Sequence, residues 1–280
     1  YNLSVHGEYR NRTRNKLWAI LLKAEVYLNG LNAGDYSLYA SLDRYLNKRL
    51  GNVSLFFRNV NRTPSFIFDN RTSFNLGNAN NFNKENIISF GATANTPYVT
   101  LSFKDHLVTN YTYFSDYYHT AQYSKLINLL QVSASSRIRI SKHWNDYIDA
   151  VVQHTDGAAP VKVPLLFLRN RLAYEGRFYK NLNISAGIEA RYYTAYKANN
   201  YSPVLGQFVP QDTATISNLP DIAAFVHFRI KSFTTYIRAE NLNTVSFANG
   251  FAFVNNNFAA PHFPTQGFMI RLGIQWWFVN

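Results

Sequence analysis

Alternation with a period of two runs through this chain and is clearest at its end. In PTQGFMIRLGIQWWFVN (Pro264–Asn280), Phe268, Ile270, Leu272, Ile274, Trp276 and Phe278 fall on one side, and Met269, Arg271, Gly273, Gln275 and Trp277 on the other. Successive side chains of an extended backbone point to opposite faces, so this pattern predicts a strand and not a helix. One face wholly apolar and the other polar or small, with aromatics near the end, suits a wall between lipid and water. Leu182, Ile184, Ala186, Ile188 and Ala190 alternate in the same way with Asn183, Ser185, Gly187, Glu189 and Arg191. Ile222, Ala224, Val226, Phe228 and Ile230 alternate with Ala223, Phe225, His227, Arg229 and Lys231; Leu130, Val132, Ala134, Ile138 and Ile140 oppose Gln131, Ser133, Ser135, Arg137 and Arg139. At 36–47 the apolar face runs through Leu38, Ala40 and Leu42 into Arg44, which places that strand end at an interface, where a charge costs little.

Segments of this kind, bounded by Asn, Gly, Pro, Asp or Lys, predict strands at 2–11, 16–28, 36–47, 52–63, 86–95, 98–113, 126–141, 144–155, 163–179, 181–195, 221–232, 233–244 and 266–279. Their connections alternate between tight ones (Asn11–Asn15, Lys48–Gly51, Thr96–Pro97, Ser141–His143, Lys180, Ser232) and long ones (Asn29–Asp35, Pro64–Glu85, Phe114–Lys125, Asp156–Lys162, Tyr196–Pro220, Val245–Thr265). Bacterial outer-membrane barrels keep short turns in the periplasm and long loops outside. The pattern therefore predicts an all-β fold: a transmembrane antiparallel up-and-down barrel of about 14 strands, with 1–280 as a single domain. On this orientation the last strand runs inward, with Phe278 and Asn280 at the periplasmic edge. An odd count would place Tyr1 outside the cell, whereas single-chain bacterial barrels have an even count. The expectation is that one or more strands precede Tyr1, or that two strands are merged, with 98–113 the longest segment and the place to look. Any export signal is expected to have been removed or never to have been part of this sequence, since no basic and apolar leader opens the chain.

Composition strengthens this picture. Aromatics are abundant (Tyr 20, Phe 22, Trp 4) and charged residues make up only 16 %, while mean hydropathy is just below zero at -0.23. Lipid-facing and water-facing residues that average out give such values. The longest apolar run, Leu17–Leu22, is ended by Lys23, far short of the roughly 18 residues a membrane-spanning helix needs. With no cysteine, disulfides, thiolate metal sites and cysteine nucleophiles are excluded.

The net charge of +12 would suggest nucleic acid as a partner of a soluble protein, but here its placement matters more. The polar faces receive Lys23, Arg58, Arg137, Arg139, Arg169, Arg171, Arg177, Arg191, Arg229, Lys231, Arg238 and Arg271 against Glu25, Asp43, Asp149, Glu175, Glu189 and Glu240. Arg58, Arg137, Arg139, Arg169, Arg171, Glu189, Arg191, Arg229, Arg238, Glu240 and Arg271 are the expected pore-lining residues. A basic lining favours anionic solutes, whereas the same residues arranged as salt-bridge ladders only fill and stiffen the interior. Seven histidines are scattered, and the sequence holds no His-Glu-x-x-His, Gly-x-Ser-x-Gly or Gly-rich phosphate loop. His119 beside Asp116 and His154 beside Asp156 are the only loop candidates for catalysis, and no enzymatic activity, cofactor or metal is expected. The Asn-Arg-Thr triplets at Asn11, Asn61 and Asn70 read as turn and strand-end chemistry. Trp18, Trp144, Trp276, Trp277, Tyr192 and Tyr193 read as interfacial girdles, while Phe56, Phe167, Phe225 and Tyr236 face the interior, where sugars could stack.

Four stretches, PLLFLRNRLAYEGRFY (Pro164–Tyr179), YSPVLGQFVPQ (Tyr201–Gln211), LPDIAAFVHFRIKSFTTYIRAENLN (Leu219–Asn243) and APHFPTQGFMIRLGIQWWF (Ala260–Phe278), occur in the order shown by the "putative porin" outer-membrane proteins of the Bacteroidota, and this part of the chain resembles that family. The first 160 or so residues are similar to it only in general barrel character. The resemblance implies an outer-membrane barrel, usually longer than this chain, with no established catalytic residues. The leading expectation is a bacterial outer-membrane porin passing small hydrophilic solutes by diffusion, mildly anion-preferring, with outer-membrane lipid around it and no nucleic acid partner. The rival is a plugged, non-conducting barrel subunit of a larger outer-membrane assembly for secretion or nutrient uptake, with other outer-membrane proteins as partners. The C-terminal part of a TonB-dependent receptor fits less well, since those barrels have about 22 strands and a plug.

Overall fold

A computed structural model describes residues 1–69, 82–156, 158–246, 252–253 and 256–278. Thirteen long strands follow one another: β1 (Leu3–Arg12), β2 (Trp18–Asn29), β3 (Tyr36–Asn47), β4 (Gly51–Arg62), β5 (Glu85–Asn95), β6 (Val99–Thr109), β7 (Ile127–Arg139), β8 (Trp144–Thr155), β9 (Leu166–Phe178), β10 (Leu182–Tyr193), β11 (Asp221–Ile230), β12 (Phe233–Glu240) and β13 (Met269–Trp276). Each is hydrogen-bonded to the next in a single 13-stranded sheet ordered as the sequence is. Among the described residues no α-helix occurs, only 3-10 turns at Phe66–Phe68 and Leu242–Thr244. The alternation therefore locates all thirteen strands, one fewer than the length alone suggests.

The predicted strand 98–113 does hold two strands, but not two of the wall. At Asn110 the backbone turns left-handed (φ 56°). Tyr111–Phe114 then leaves the sheet to pair with Thr120–Tyr123 in a separate hairpin. The wall count stays at thirteen. Further small hairpins occupy two of the other long connections, Asn200–Ser202 with Gln207–Val209 and Phe258–Ala260 with Phe263–Pro264. Asn11 and Asn61 lie in the last two residues of β1 and β4, and neither is left-handed; that conformation falls instead to Lys16, Asn110, Tyr179, Lys231, Asn241 and His262. The Asn70 triplet and Asn280 lie outside the described residues, as does 70–81 of the connection Pro64–Glu85.

The chain divides into two compact units, one formed by 1–133, 152–163 and 197–214, the other by 134–151, 164–196 and 215–280. In each the burial is inverted relative to a soluble protein. In the second unit Ile188, Ile237, Ile270, Leu272 and Ile274 are exposed, while Glu189, on the opposite face, is 2 % exposed. In the first unit Leu22, Leu38, Leu55, Phe57, Phe90 and Leu101 are exposed and Ser89 is buried. Exposed aliphatic faces of this extent are stable only against hydrocarbon.

Aromatics cluster where the tight connections are. The Arg44 guanidinium lies over the Trp18 ring at 4.6 Å, which supplies the predicted interfacial charge with a cation–π partner. Trp144 meets Tyr174 edge-on at 5.7 Å, Phe233 meets Trp276 edge-on at 6.0 Å, and Trp276 stacks on Phe278 at 4.8 Å. These are the girdles that amphipathic rings form at a membrane boundary. At the long-connection side of the first unit, Phe114, Leu205 and Val209 are buried together, with Ile67 and Phe68 packed against them.

Candidate functional site, the charged polar faces

Register decides which charges meet. In the second unit, Arg171 of β9 stands opposite Glu189 of β10, which stands opposite Ala223 of β11. Arg169 stands opposite Arg191, an unfavourable pairing taken alone. Glu189 resolves it: Arg169 Nη2, Arg191 Nε and Arg238 Nη2 all donate to its carboxylate at 2.8 Å. Arg238 comes from β12 and reaches Glu189 across β11. There Ala223 adds only a methyl group, buried under the charged layer at 6 % exposure. Arg238 Nε also donates to Glu240 at 2.8 Å, and Arg271 Nε of β13 donates to the other Glu240 oxygen at 2.8 Å. Asp149 extends the line to Arg169 at 3.8 Å.

A second centre lies toward the tight connections. Glu175 accepts from Tyr147 Oη at 2.8 Å, Asn145 Nδ2 at 2.9 Å and Arg137 Nη2 at 3.1 Å, with Arg171 Nη2 at 3.5 Å. The Arg171 guanidinium sits near the faces of Tyr147 (4.7 Å) and Phe225 (5.1 Å). Six arginines thus pair with four carboxylates, Asp149, Glu175, Glu189 and Glu240. The layer is interlocked and still carries a basic excess.

Of the predicted pore-lining residues, Arg137, Arg169, Arg171, Glu189, Arg191, Arg238, Glu240 and Arg271 are thereby brought into two connected clusters. Arg139 and Arg229 are not: Arg139 Nε donates to Ser141 O at 3.3 Å and Arg229 Nε to Lys231 O at 3.1 Å. Arg58 belongs to the first unit, in a cross-strand row that runs Glu8, Lys23, Tyr39, Arg58, Ser89 and His106. It pairs with no carboxylate among the described residues. With His6, Glu8, Lys23, Glu25, Ser37 and Tyr39 it lines a hollow of about 640 Å³. Alternation put these residues on one face, but which arginine meets which carboxylate depends on register, which the sequence does not display.

The interior aromatics are also engaged. The Phe56 ring lies over Gly91, where a Cβ would come within 2.7 Å of it, and Tyr236 covers Gly273, where a Cβ would come within 2.0 Å. Phe225 lies beneath Arg171 and touches His227 at 5.4 Å between ring centroids.

Of the two loop candidates, only Asp116 and His119 are joined among the described residues. Asp116 binds the His119 ring nitrogen at 2.7 Å, but it also accepts the backbone N–H groups of Tyr118 and His119, so it caps an exposed turn. These bonds, that from Tyr118 first, hold its carboxyl below the usual range. His154 is exposed near the end of β8. Among the described residues no group of three His, Asp or Glu is placed to hold a metal.

Comparison with known proteins follows the fold. The profile of a family described as "Putative porin" matches residues 1–280, so the match extends over the first 160 residues as well as the C-terminal motifs. No curated protein matches. Among solved structures, the copper transporter OprC is similar at a TM-score of 0.71 and 14 % identity, over 98 % of this chain and 47 % of that one. A mutant of the ferric enterobactin receptor PfeA from Pseudomonas aeruginosa follows at 0.67 and 11 %, over 98 % and 44 %. This chain spans less than half the length of these structures, and at such identities the likeness is one of fold.

Proposed function

Because the chain belongs to the "Putative porin" family of outer-membrane proteins, we propose that it works by passive diffusion of small hydrophilic solutes along its charged polar faces, without chemical catalysis and with a mild preference for anions. The observation that carries this reading is the inversion of the two faces: aliphatic side chains are exposed on one, and on the other exposed and half-buried arginines enclose a buried Glu189. The basic excess supports the anion preference, since Arg lining lowers the cost of an anion shedding water. Asp149, Glu175, Glu189 and Glu240 offset four of the six arginine charges they pair with, and so the preference is mild. The Bacteroidota affiliation rests on the C-terminal motifs alone.

The test is the reversal potential of the purified protein in planar bilayers under a KCl gradient. Chloride over potassium by a small factor is the expected result; cation selectivity overturns the anion preference, and a silent bilayer overturns the pore. The rival, a non-conducting subunit of a larger assembly, is favoured by the apolar tips of the long connections, where Tyr118 is 71 % and Val204 82 % exposed. Stoichiometric co-purification of another outer-membrane protein, together with a silent bilayer, selects it.

A further inference from the structure

The three tight connections of the second unit share a property that the interlocked layer lacks. Residues 139–144 (RISKHW), 176–183 (GRFYKNLN) and 228–234 (FRIKSFT) contain Arg139, Lys142, Arg177, Lys180, Arg229 and Lys231 and not one Asp or Glu. All six cations are exposed. Arg139, Arg177 and Arg229 lie on the polar face, as the register of Arg177 opposite Asn183 and Asn183 opposite Arg229 shows for two of them.

Each of these arginines is held by one bond to a neutral acceptor through its inner nitrogen: Arg139 Nε to Ser141 O at 3.3 Å, Arg177 Nε to Asn183 Oδ1 at 3.2 Å, and Arg229 Nε to Lys231 O at 3.1 Å. None pairs with a carboxylate among the described residues, whereas Arg137, a single step deeper on β7, is taken by Glu175. The arrangement orients the guanidinium groups while leaving their outer forks uncommitted, and an Arg fork matches the oxygen geometry of phosphate. Arg177 and Arg229 are separated by one intervening strand, about 9.5 Å across the sheet. A monovalent anion cannot bridge such a gap; a chain of linked phosphates can.

We infer that the polar-face rim formed by Arg139, Arg177 and Arg229 is a binding subsite for soluble multivalent phosphate anions, at the mouth on the tight-connection side. Its role as a mouth rests on the pore reading; its existence does not. The lysines of the turns add to the local potential without shaping the contact, since a Lys ammonium acts as a point charge.

Inorganic tripolyphosphate is the probe, titrated calorimetrically into the detergent-solubilised full chain at low salt, where charge screening is weak. R177Q/R229Q is expected to bind at least tenfold more weakly, and R177K/R229K to recover only part of the loss. A triple variant of the turn lysines, K142Q/K180Q/K231Q, is expected to change affinity less than R177Q/R229Q does. In bilayers, tripolyphosphate on the tight-connection side is expected to block the KCl current of the parent chain and not that of R177Q/R229Q. Absence of binding, or a loss that follows the lysines in place of the arginines, overturns the subsite. A protein that conducts but does not bind keeps the pore and loses the subsite; one that binds through these arginines but never conducts keeps the subsite and loses the pore.

Discussion

The polar face of the first unit and that of the second are built from the same alternation and differ in how their charges are spent. In the first, Glu8 binds Lys23 at 3.1 Å and contacts Arg10, all three well exposed, and Arg58 stands without a carboxylate beside an open hollow. In the second, Glu189 is enclosed by three arginines and the line continues through Glu240 to Arg271. A pair in water gains little, because solvent screens it and two long side chains must be ordered. A carboxylate at 2 % exposure cannot be solvated and depends on its three arginines, of which Arg191 has no other carboxylate among the described residues and Arg169 and Arg238 tie the cluster on to Asp149 and Glu240. One face is therefore tolerant and the other interdependent.

The sharpest way to break this contrast is to remove one acid from each. Glu189→Gln leaves three guanidinium groups with a neutral partner and is expected to cost about 3–5 kcal/mol, read as the midpoint of denaturant unfolding in lipid. Glu8→Gln is expected to leave that midpoint unmoved. Equal shifts would mean that the second layer is no more coupled than the first.

Backbone approach gives a smaller effect. A Cβ on Gly187 would lie 2.0 Å from Leu172 O, whereas one on Gly7 would meet nothing within 4 Å. Gly187→Ala is expected to destabilise by about 1–3 kcal/mol through strand displacement, and Gly7→Ala to be neutral in the same assay.

Selectivity sharpens the contrast further. Arg58 pairs with no carboxylate among the described residues, so Arg58→Gln is expected to lower the chloride preference measurably, while Arg191→Gln, whose charge Glu189 already shares, is expected to move the reversal potential less. The opposite order would place the controlling charge in the interlocked layer.

The smallest effect is one of pH, in the loop turn. The Asp116 carboxyl is held below its usual range by the Tyr118 and His119 N–H groups. Its folded pKa is thus lower than its unfolded one. The contribution is complete above the unfolded value, about 3.9, and fades as pH falls through the folded one. Amide exchange at Tyr118 and His119 is expected to lose its protection as pH falls through that window, once corrected for intrinsic rates.

The strands were legible because a lipid-facing wall enforces strict alternation, and a one-residue slip would turn every side chain to the wrong solvent. Leu182–Tyr193 and Met269–Trp276 show it most plainly. The length of 98–113 marks it as the place to look for two merged strands, and the left-handed turn at Asn110 divides it there, although its apolar pattern does not announce the turn. The face of each arginine was legible too, and its partner was not. Arg139 and Arg137 look alike two positions apart on one strand, yet one meets a backbone carbonyl and the other Glu175.

The sequence by itself determined the period, the two faces, the strand count and the family, because these follow from local geometry and from which solvent each face must meet. The tertiary structure alone decided which charges are joined and which stand free. Pairing depends on register between strands far apart in sequence, which sets Ala223 of β11 opposite Glu189 and Phe225 opposite Arg238 and leaves Arg238 to reach Glu189 across β11.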